Sequence, residues 1–582
     1  MRKQRWNIAS ERRSASGIVR LNVVDISPTV ALKRSSIAFI CLFVAAIDGA
    51  ANSREDHINA WWEECMLRNW TIFLAATTAL SFGLLNQASA ADFDAQEATI
   101  ADVHKAMSGG RITARQLVEF YLARIEAYDK KGPSINAIIH INAKALEEAD
   151  RLDSRFKASG LTGPLHGIPI LVKDAIATND MPTTGGSMSL QGFVPRNEAT
   201  IITKLKAAGA IILGKTNLDE FTFGTRGISS IGGQTLNPYD LTRNAAGSSG
   251  GSAAAVASNL AMAALGTDTG SSIRFPASAT SLVGVRGTIG LVSRTGIMPN
   301  SMTQDTGGPI TRSIADAAFI LDVIAGYDPT DVATAWSVGN IPKSYAASLE
   351  GSSLKGARIG VLKSFFGNDA EAKEVNSAVE ASIALMERNG AVIISIEEPF
   401  DIVKLGEMQV ASHETTHYFD KYLKDEGAPH ASLAAILASG KVAQEVEASI
   451  RNRIKLSMKD PEYKERLLKR IELQNQIVKL MADHAIDAIV FPFNRTPVGK
   501  IGGAQARHNG FFTAVTGFPS IIVPSGYTAP NNSAPRGVPI GIEFTGRPWS
   551  EAALLRLAYG FEQAAKTRRP PQNFGPLPSS AR

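Results

Sequence analysis

From residue 91 onward, apolar positions recur first at helical and then at strand spacing. Residues 99–107 have a helical period. Thr113 can cap a helix over 114–130 that places Leu117, Tyr121 and Ile125 on one face. A third helix is expected over 142–158. Short β-branched or apolar runs follow, each bounded by glycine or proline: 168–172, 210–213, 260–265, 359–362, 392–396, 488–491, 521–524 and 539–544. Helical stretches such as 199–208, 313–325 and 371–389 separate many of them. Strands alternating with helices predict an α/β fold: a mixed, mostly parallel β-sheet core covered by helices on both faces. The segment 406–484 is long, charged and mostly helical in pattern, and is expected to form a helical cap. No repeat and no linker divides the chain, so 91–582 reads as a single domain.

The front end follows other rules. Residues 66–90 open with Met66 and a basic Arg68, continue through an apolar run over 70–85, and close on Ala88-Ser89-Ala90 before Ala91. That is the anatomy of a secretory signal peptide. The run is short for a membrane span and no stop-transfer pattern follows. A periplasmic or secreted protein starting near Ala91 is the expectation, with residues 1–65 a non-native extension ahead of the true start. The alternative is a cytoplasmic protein with a genuine extension or anchor. The second apolar run, 37–47, keeps that alternative open.

Charge and cysteine then narrow the chemistry. The chain carries a formal +5 over 582 residues. Nine Lys/Arg and seven Asp/Glu lie in the first 65 residues and Arg68 adds one more, so only about +2 remains beyond residue 90. That argues against nucleic acid and against an anionic membrane surface as partners. Both cysteines, Cys41 and Cys65, precede residue 90. A chain starting at Ala91 therefore has no disulfide, no Cys-ligated metal and no thiol nucleophile.

Three segments carry candidate chemistry. The tract Ala246-Gly-Ser-Ser-Gly-Gly-Ser252 precedes a smooth helix former, 253–258, and so presents backbone N–H groups at a helix start. It lacks GxxxxGK[ST], and no GxGxxG is present, which sets nucleotide binding aside. A second turn, Gly266-Thr-Asp-Thr-Gly-Ser-Ser-Ile-Arg274, follows an apolar strand, and the two serine turns can face each other. Read separately, both are ordinary Gly/Ser turns. The third segment, 163–174, ends an apolar strand on Lys173-Asp174. A buried lysine there is costly unless neutral or paired; the plainer reading is a lysine that snorkels to the surface. None of the nine histidines lies in either serine turn, so a serine nucleophile here needs another base, and a neutral lysine can serve.

Taken together, these segments resemble the amidase signature family of serine hydrolases. The resemblance spans nearly all of 95–570. It also includes Gly214-Lys-Thr-Asn-Leu-Asp-Glu220, Gln304-Asp305-Thr306-Gly-Gly-Pro309 and Gly517-Phe-Pro-Ser520. It implies the amidase signature fold and a Ser–Ser–Lys triad with Ser272 as nucleophile, Ser248 as bridge and Lys173 as base. It further implies an oxyanion site from the N–H groups of Thr269, Gly270, Ser271 and Ser272, and a cis peptide at Gly247–Ser248. Asp268 and Arg274 read as loop braces. Ala246 and Ser271 depart from the pattern, which has glycine at both places, and Arg286-Gly287-Thr288 lacks a usual proline. The activity implied is hydrolysis of a carboxylic amide to acid plus ammonia or amine, with no cofactor and no metal, on a small-molecule substrate whose pocket is expected from 181–190, 297–305 and 405–510. The C-terminal stretches 546–551 and 561–563 look closest to free-standing hydrolases such as peptide amidase. The family also holds the glutaminase component of a tRNA-dependent amidotransferase, which export argues against. A non-catalytic binding protein on the same scaffold is a further alternative that the intact Lys173/Ser248/Ser272 set opposes. Oligomeric state is not written in the chain; a homodimer is one form it allows.

One motif points elsewhere. His413-Glu-Thr-Thr-His417 fits H-E-x-x-H, the helix of zinc peptidases, with Glu414 as base and Glu445 or Glu447 as a third ligand. Against it, no strand edge is evident near this charged helical segment, and an exposed or capping pair of histidines is the plainer expectation.

Overall fold

Two capping boxes open the first helices. Thr99 accepts from the Asp102 N–H while the Asp102 side chain accepts from the Thr99 N–H, starting the helix Ile100–Ser108. Thr113 and Gln116 do the same for Ala114–Tyr128. Each box satisfies two N–H groups that a helix start leaves unpartnered. The computed structural model describes residues 93–577. The expected extension, the expected signal peptide and both cysteines lie outside the described residues.

Eleven strands form one sheet: β1 Ile138–Ile141, β2 Pro169–Lys173, β3 Ile211–Thr216, β4 Ala263–Asp268, β5 Val283–Arg286, β6 Thr306–Thr311, β7 Arg358–Leu362, β8 Val392–Ile396, β9 Ala488–Pro492, β10 Ser520–Tyr527 and β11 Pro539–Thr545. Their order is β1-β3-β2-β4-β6-β5-β10-β11-β9-β7-β8. Parallel pairing joins β3-β2-β4 and β9-β7-β8. The remaining joins are antiparallel. The sheet is mixed, as expected, with its parallel share in two three-strand blocks. Residues 406–484 are mostly helical, as read from the sequence. They hold Ala411–Glu426 and Pro461–Asp483, with two shorter helices between.

The first parallel block positions the site. Because β3, β2 and β4 run the same way, their carboxyl ends, Thr216, Lys173 and Asp268, lie at one edge of the sheet. That edge is where open α/β sheets place ligands. Helix α1, Gly250–Ala257, is buried along its whole length and packs on β4. Its Gly251 has no room for a side chain, since a Cβ there would sit 2.4 Å from the carbonyls of Ala137 and Asn217. Small residues let α1 settle this low and bring its first turn to the ends of β2 and β4.

Candidate active site

Lys173 ends β2 with no exposed surface. Its Nζ donates to Ser248 Oγ at 2.7 Å and to Thr267 Oγ1 at 2.8 Å, with the Thr267 carbonyl at 3.5 Å. Burial pushes its pKa down to about 7 against the pull of Asp219, Asp268 and Asp305. The lysine does not snorkel out. It sits buried among neutral oxygens.

Ser248 lies in the turn that leads into α1. The Gly247–Ser248 peptide is cis, and Ala246 has φ 60°. Ala246 thus occupies the left-handed region that glycine enters without a Cβ penalty. This is the position where the family pattern has glycine. The second serine turn runs from the end of β4 into α2, Arg274–Ala279. The two turns meet, as the sequence allows: the Ser249 N–H donates to the Ser272 carbonyl at 3.1 Å, and Ser249 Oγ donates to the Thr267 carbonyl at 3.2 Å. The backbone of Ser272 thus lies beside the turn whose Ser248 hydroxyl meets Lys173.

The backbone N–H groups of Thr269, Gly270, Ser271 and Ser272 make no hydrogen bond among the described residues, whereas the next one, of Ile273, donates to Asp268. Four successive donors are thus left free for an outside acceptor. Ser271 packs with its Cβ toward Gly510, where a Cβ would come within 2.8 Å. Beneath the turn, Asp268 bonds both Arg274 and Arg286, and Arg274 also bonds Glu543 and the Gly270 carbonyl. All four charged side chains are fully buried. Burial opposes the Asp268 charge, yet the two guanidiniums hold its carboxyl well below the usual range. Thr269 Oγ1 donates to Asp305, which also accepts the N–H groups of Asn300 and Ser301.

At the mouth, a Cβ added to Gly270 would meet Phe511 at 3.4 Å and Gln409 at 3.9 Å. Gln304 links Gln409 to the Thr269 carbonyl. The predicted lining segments 297–305 and 405–510 thus reach the second serine turn, and Phe511 stands one residue past the predicted range. The sequence reading missed Thr267, which holds the lysine, and named Asp219 and Asp305 only as parts of motifs. The signal for Thr267 was its place in the same short turn as Ser272.

The H-E-x-x-H motif does lie on a helix, Ala411–Glu426. Glu414 is buried, however, and accepts hydrogen bonds from Ser301 Oγ, the Thr303 N–H, Thr303 Oγ1 and the Tyr463 hydroxyl. A carboxylate engaged four times ties the helix to the 301–303 loop and has no free oxygen for a water. The acids within 4.0 Å of His413 are Asp460 and Glu462, not Glu445 or Glu447. Among the described residues no group of three or more His, Cys, Asp or Glu could hold a metal ion.

A family model described as Amidase matches residues 116–555. A probable amidase of Arabidopsis thaliana is 36% identical over 527 residues, covering 86% of this chain and 96% of the relative. A glutamyl-tRNA(Gln) amidotransferase component of Thermoanaerobacter pseudethanolicus is 34% identical over 500 residues, 82% of this chain and 98% of that one. Among solved structures, native peptide amidase from Stenotrophomonas maltophilia superposes with a TM-score of 0.73 at 36% identity, covering 82% of this chain and 98% of its own.

Proposed function

The chain belongs to the amidase family, and we propose that it cleaves a carboxylic amide through an acyl-enzyme, with Ser272 as nucleophile, Ser248 as bridge and Lys173 as base. The observation that carries this reading is the 2.7 Å contact between Lys173 Nζ and Ser248 Oγ in a fully buried site. A serine hydroxyl is a weak nucleophile and needs a base. A lysine held near 7 by burial is neutral in part at physiological pH and can take a proton. Ser272 attacks the amide carbonyl, its proton passes to Ser248, and the Ser248 proton passes to Lys173. The carbonyl oxygen turns toward the N–H groups of 269–272, an effect worth about 3 kcal/mol per donor. The proton then returns through Ser248 to the leaving nitrogen, which departs badly without it. Water releases the acyl group by the same relay.

A second reading is favoured by one comparison. The 34% likeness to an amidotransferase component makes the glutamine side-chain amide a candidate substrate. A fluorophosphonate probe and a panel of amides that includes glutamine test both. The expected adduct, found by mass spectrometry, is on Ser272 and disappears in Ser272→Ala. An adduct on another residue overturns the triad assignment, and turnover of glutamine alone selects the second reading.

A further inference from the structure

The turn after β3 carries a buried charge that the relay above does not use. Asp219 is 3% exposed. Its backbone N–H donates to the Ser248 carbonyl at 3.1 Å. Its carboxylate accepts the Arg226 N–H at 2.8 Å on Oδ1 and the Gly227 N–H at 2.7 Å on Oδ2. It is wedged between two turns: a Cβ on Gly247 would sit 1.8 Å from Oδ2, and a Cβ on Gly224 would sit 2.4 Å from Oδ1. Gly247 is the residue that precedes Ser248. A longer or bulkier pair of side chains has no place in this contact.

Charge accounting sets Asp219 apart from the other acids that face Lys173. Asp268 is compensated by Arg274 and Arg286. Asp305 has the Thr269 hydroxyl, two backbone N–H groups and the field of Arg294. Asp219 has backbone donors and, among the described residues, no lysine or arginine within ion-pair distance. A buried carboxylate in that state is expensive unless a cation comes near. Of the three acids pulling on Lys173, Asp219 pulls hardest.

We propose that Asp219 is a positioning residue for the base: it holds the Gly247–Ser248 turn through the Ser248 carbonyl and supplies the counter-charge when Lys173 is protonated. The inference rests on the reading of Lys173 as base. As the bond from Ser272 Oγ to the carbonyl carbon forms, the carbonyl electron pair moves onto oxygen and one proton arrives at Lys173 by way of Ser248. One oxyanion and one ammonium appear together. The N–H groups of 269–272 face the first, and Asp219 faces the second. Burial pushes Asp219 up to about 6 and Lys173 down to about 7, so above pH 7 an ionised carboxylate awaits an incoming proton on a neutral amine.

The test is Asp219→Asn in the full chain, on an amide that the wild type hydrolyses. The expected result is a kcat loss of about 10–100-fold with KM within about twofold. The acid limb of the pH–kcat/KM profile should also move down by about one unit. The sign follows from charge: removing a negative neighbour makes the Lys173 ammonium easier to deprotonate, while Asp268 and Asp305 remain. A limb that stays in place or moves up overturns the proposal, because a purely structural role for Asp219 predicts no shift. A stability cycle at pH 6, where Lys173 is protonated, needs no turnover. The Tm loss caused by Asp219→Asn should be smaller in a Lys173→Met background, where the carboxylate has no counter-charge to lose. Equal losses in the two backgrounds, including failure to fold in both, overturn the proposal. Wild-type turnover with no limb near pH 7 and undiminished activity in Ser272→Ala overturns the triad instead.

Discussion

Strands β2 and β3 lie side by side, and each carries a lysine with no exposed surface near its carboxyl end, yet the two are partnered in different ways. Lys215 Nζ donates to the Ile176 carbonyl at 2.9 Å, the Pro182 carbonyl at 3.2 Å and Thr183 Oγ1 at 2.6 Å, and sits 3.2 Å from an Asp174 carboxylate oxygen. That set satisfies all three N–H groups of an ammonium and pairs its charge. Lys173 has two hydroxyls, one distant carbonyl and no carboxylate in contact. A neutral amine has two N–H groups and one lone pair. In that neutral form the two oxygens of Thr267 can accept both N–H groups, which turns the lone pair toward Ser248 and reverses the donation that the ammonium makes there. Burial pushes both lysines down from their ordinary value. The partners decide which one can act as a base. Desolvation supplies the potential for base chemistry, and in the proposed relay the absence of a paired carboxylate lets it be used.

The largest effect that can break this contrast is removal of each lysine. Lys173→Met should reduce kcat/KM on any amide substrate by about 10³-fold or more, the scale of losing a general base. Its thermal stability at pH 7 should be no lower than wild type. The folded pKa is about 7, and the ordinary value is 10.5. Between these the unfolded chain binds more protons, so stability rises with pH across that window and is penalised at its lower end. Methionine carries no such penalty. Lys215→Met should do the opposite. It leaves Asp174 buried without its cation, at a cost of about 3–5 kcal/mol, while turnover per folded molecule stays within about tenfold. Calorimetry and activity on the same two variants decide it, and equal destabilisation by both would erase the distinction.

A pH profile sharpens the same contrast with a smaller effect. Lys173 must be unprotonated to accept the proton, and its pKa is about 7. kcat/KM should therefore fall about tenfold per unit below pH 7 and level off above it. Lys215→Met should keep the same midpoint, because Lys215 takes no proton from the relay. A rate that peaks below pH 6 places the base on another group.

How much of this was legible in the sequence depends on which residues packing leaves free to speak. The eight apolar runs read as strands all pair in the sheet: six have a parallel neighbour, and β10 and β11, antiparallel on both sides, are largely buried in its middle. Three strands of this sheet escaped. β1 is short and carries His140 at one edge of the sheet. β5 is four residues long. β6 reads Thr-Gly-Gly-Pro-Ile-Thr, which looks like a turn. Its glycines are needed for another reason: a Cβ on Gly308 would come within 2.1 Å of the Val285 carbonyl oxygen, so the strands approach only because the side chain is missing. Taken singly, Lys173 and the serine turns read as a snorkelling lysine and ordinary turns; they stood out through the family resemblance that their combination carries. Thr267 and Asp219 did not, since the hydrogen bond of the first to Lys173 and the field of the second on it exist only after three strands are brought together. The His413–His417 motif was legible and misleading. Its spacing is a helix property, while the fate of the Glu414 carboxylate is settled by Ser301, Thr303 and Tyr463 from other parts of the chain.

The smallest effect concerns Ser249, beside the bridging serine, and it probes whether the partner set of Lys173 is as important as the comparison claims. Ser249 Oγ donates to the Thr267 carbonyl at 3.2 Å and accepts the Thr267 N–H at 3.3 Å. It makes no hydrogen bond to Lys173, so it takes no proton in the relay. Its hydroxyl instead fixes the backbone of the residue whose two oxygens orient the lysine. Ser249→Ala removes both bonds in a buried site and leaves a carbonyl and an N–H to find other partners, a cost of about 1–3 kcal/mol. Stability should fall by that amount. kcat should fall only a few-fold, since Thr267 Oγ1 still contacts Lys173 and the strand β4 still holds Thr267 in register. The midpoint of the pH profile should not move, because no charge near Lys173 changes. Unfolding and kinetics measured together separate the possibilities. A loss in kcat as large as that of Ser248→Ala, with stability unchanged, would mean that Ser249 passes protons and that the bridge has been assigned to the wrong neighbour.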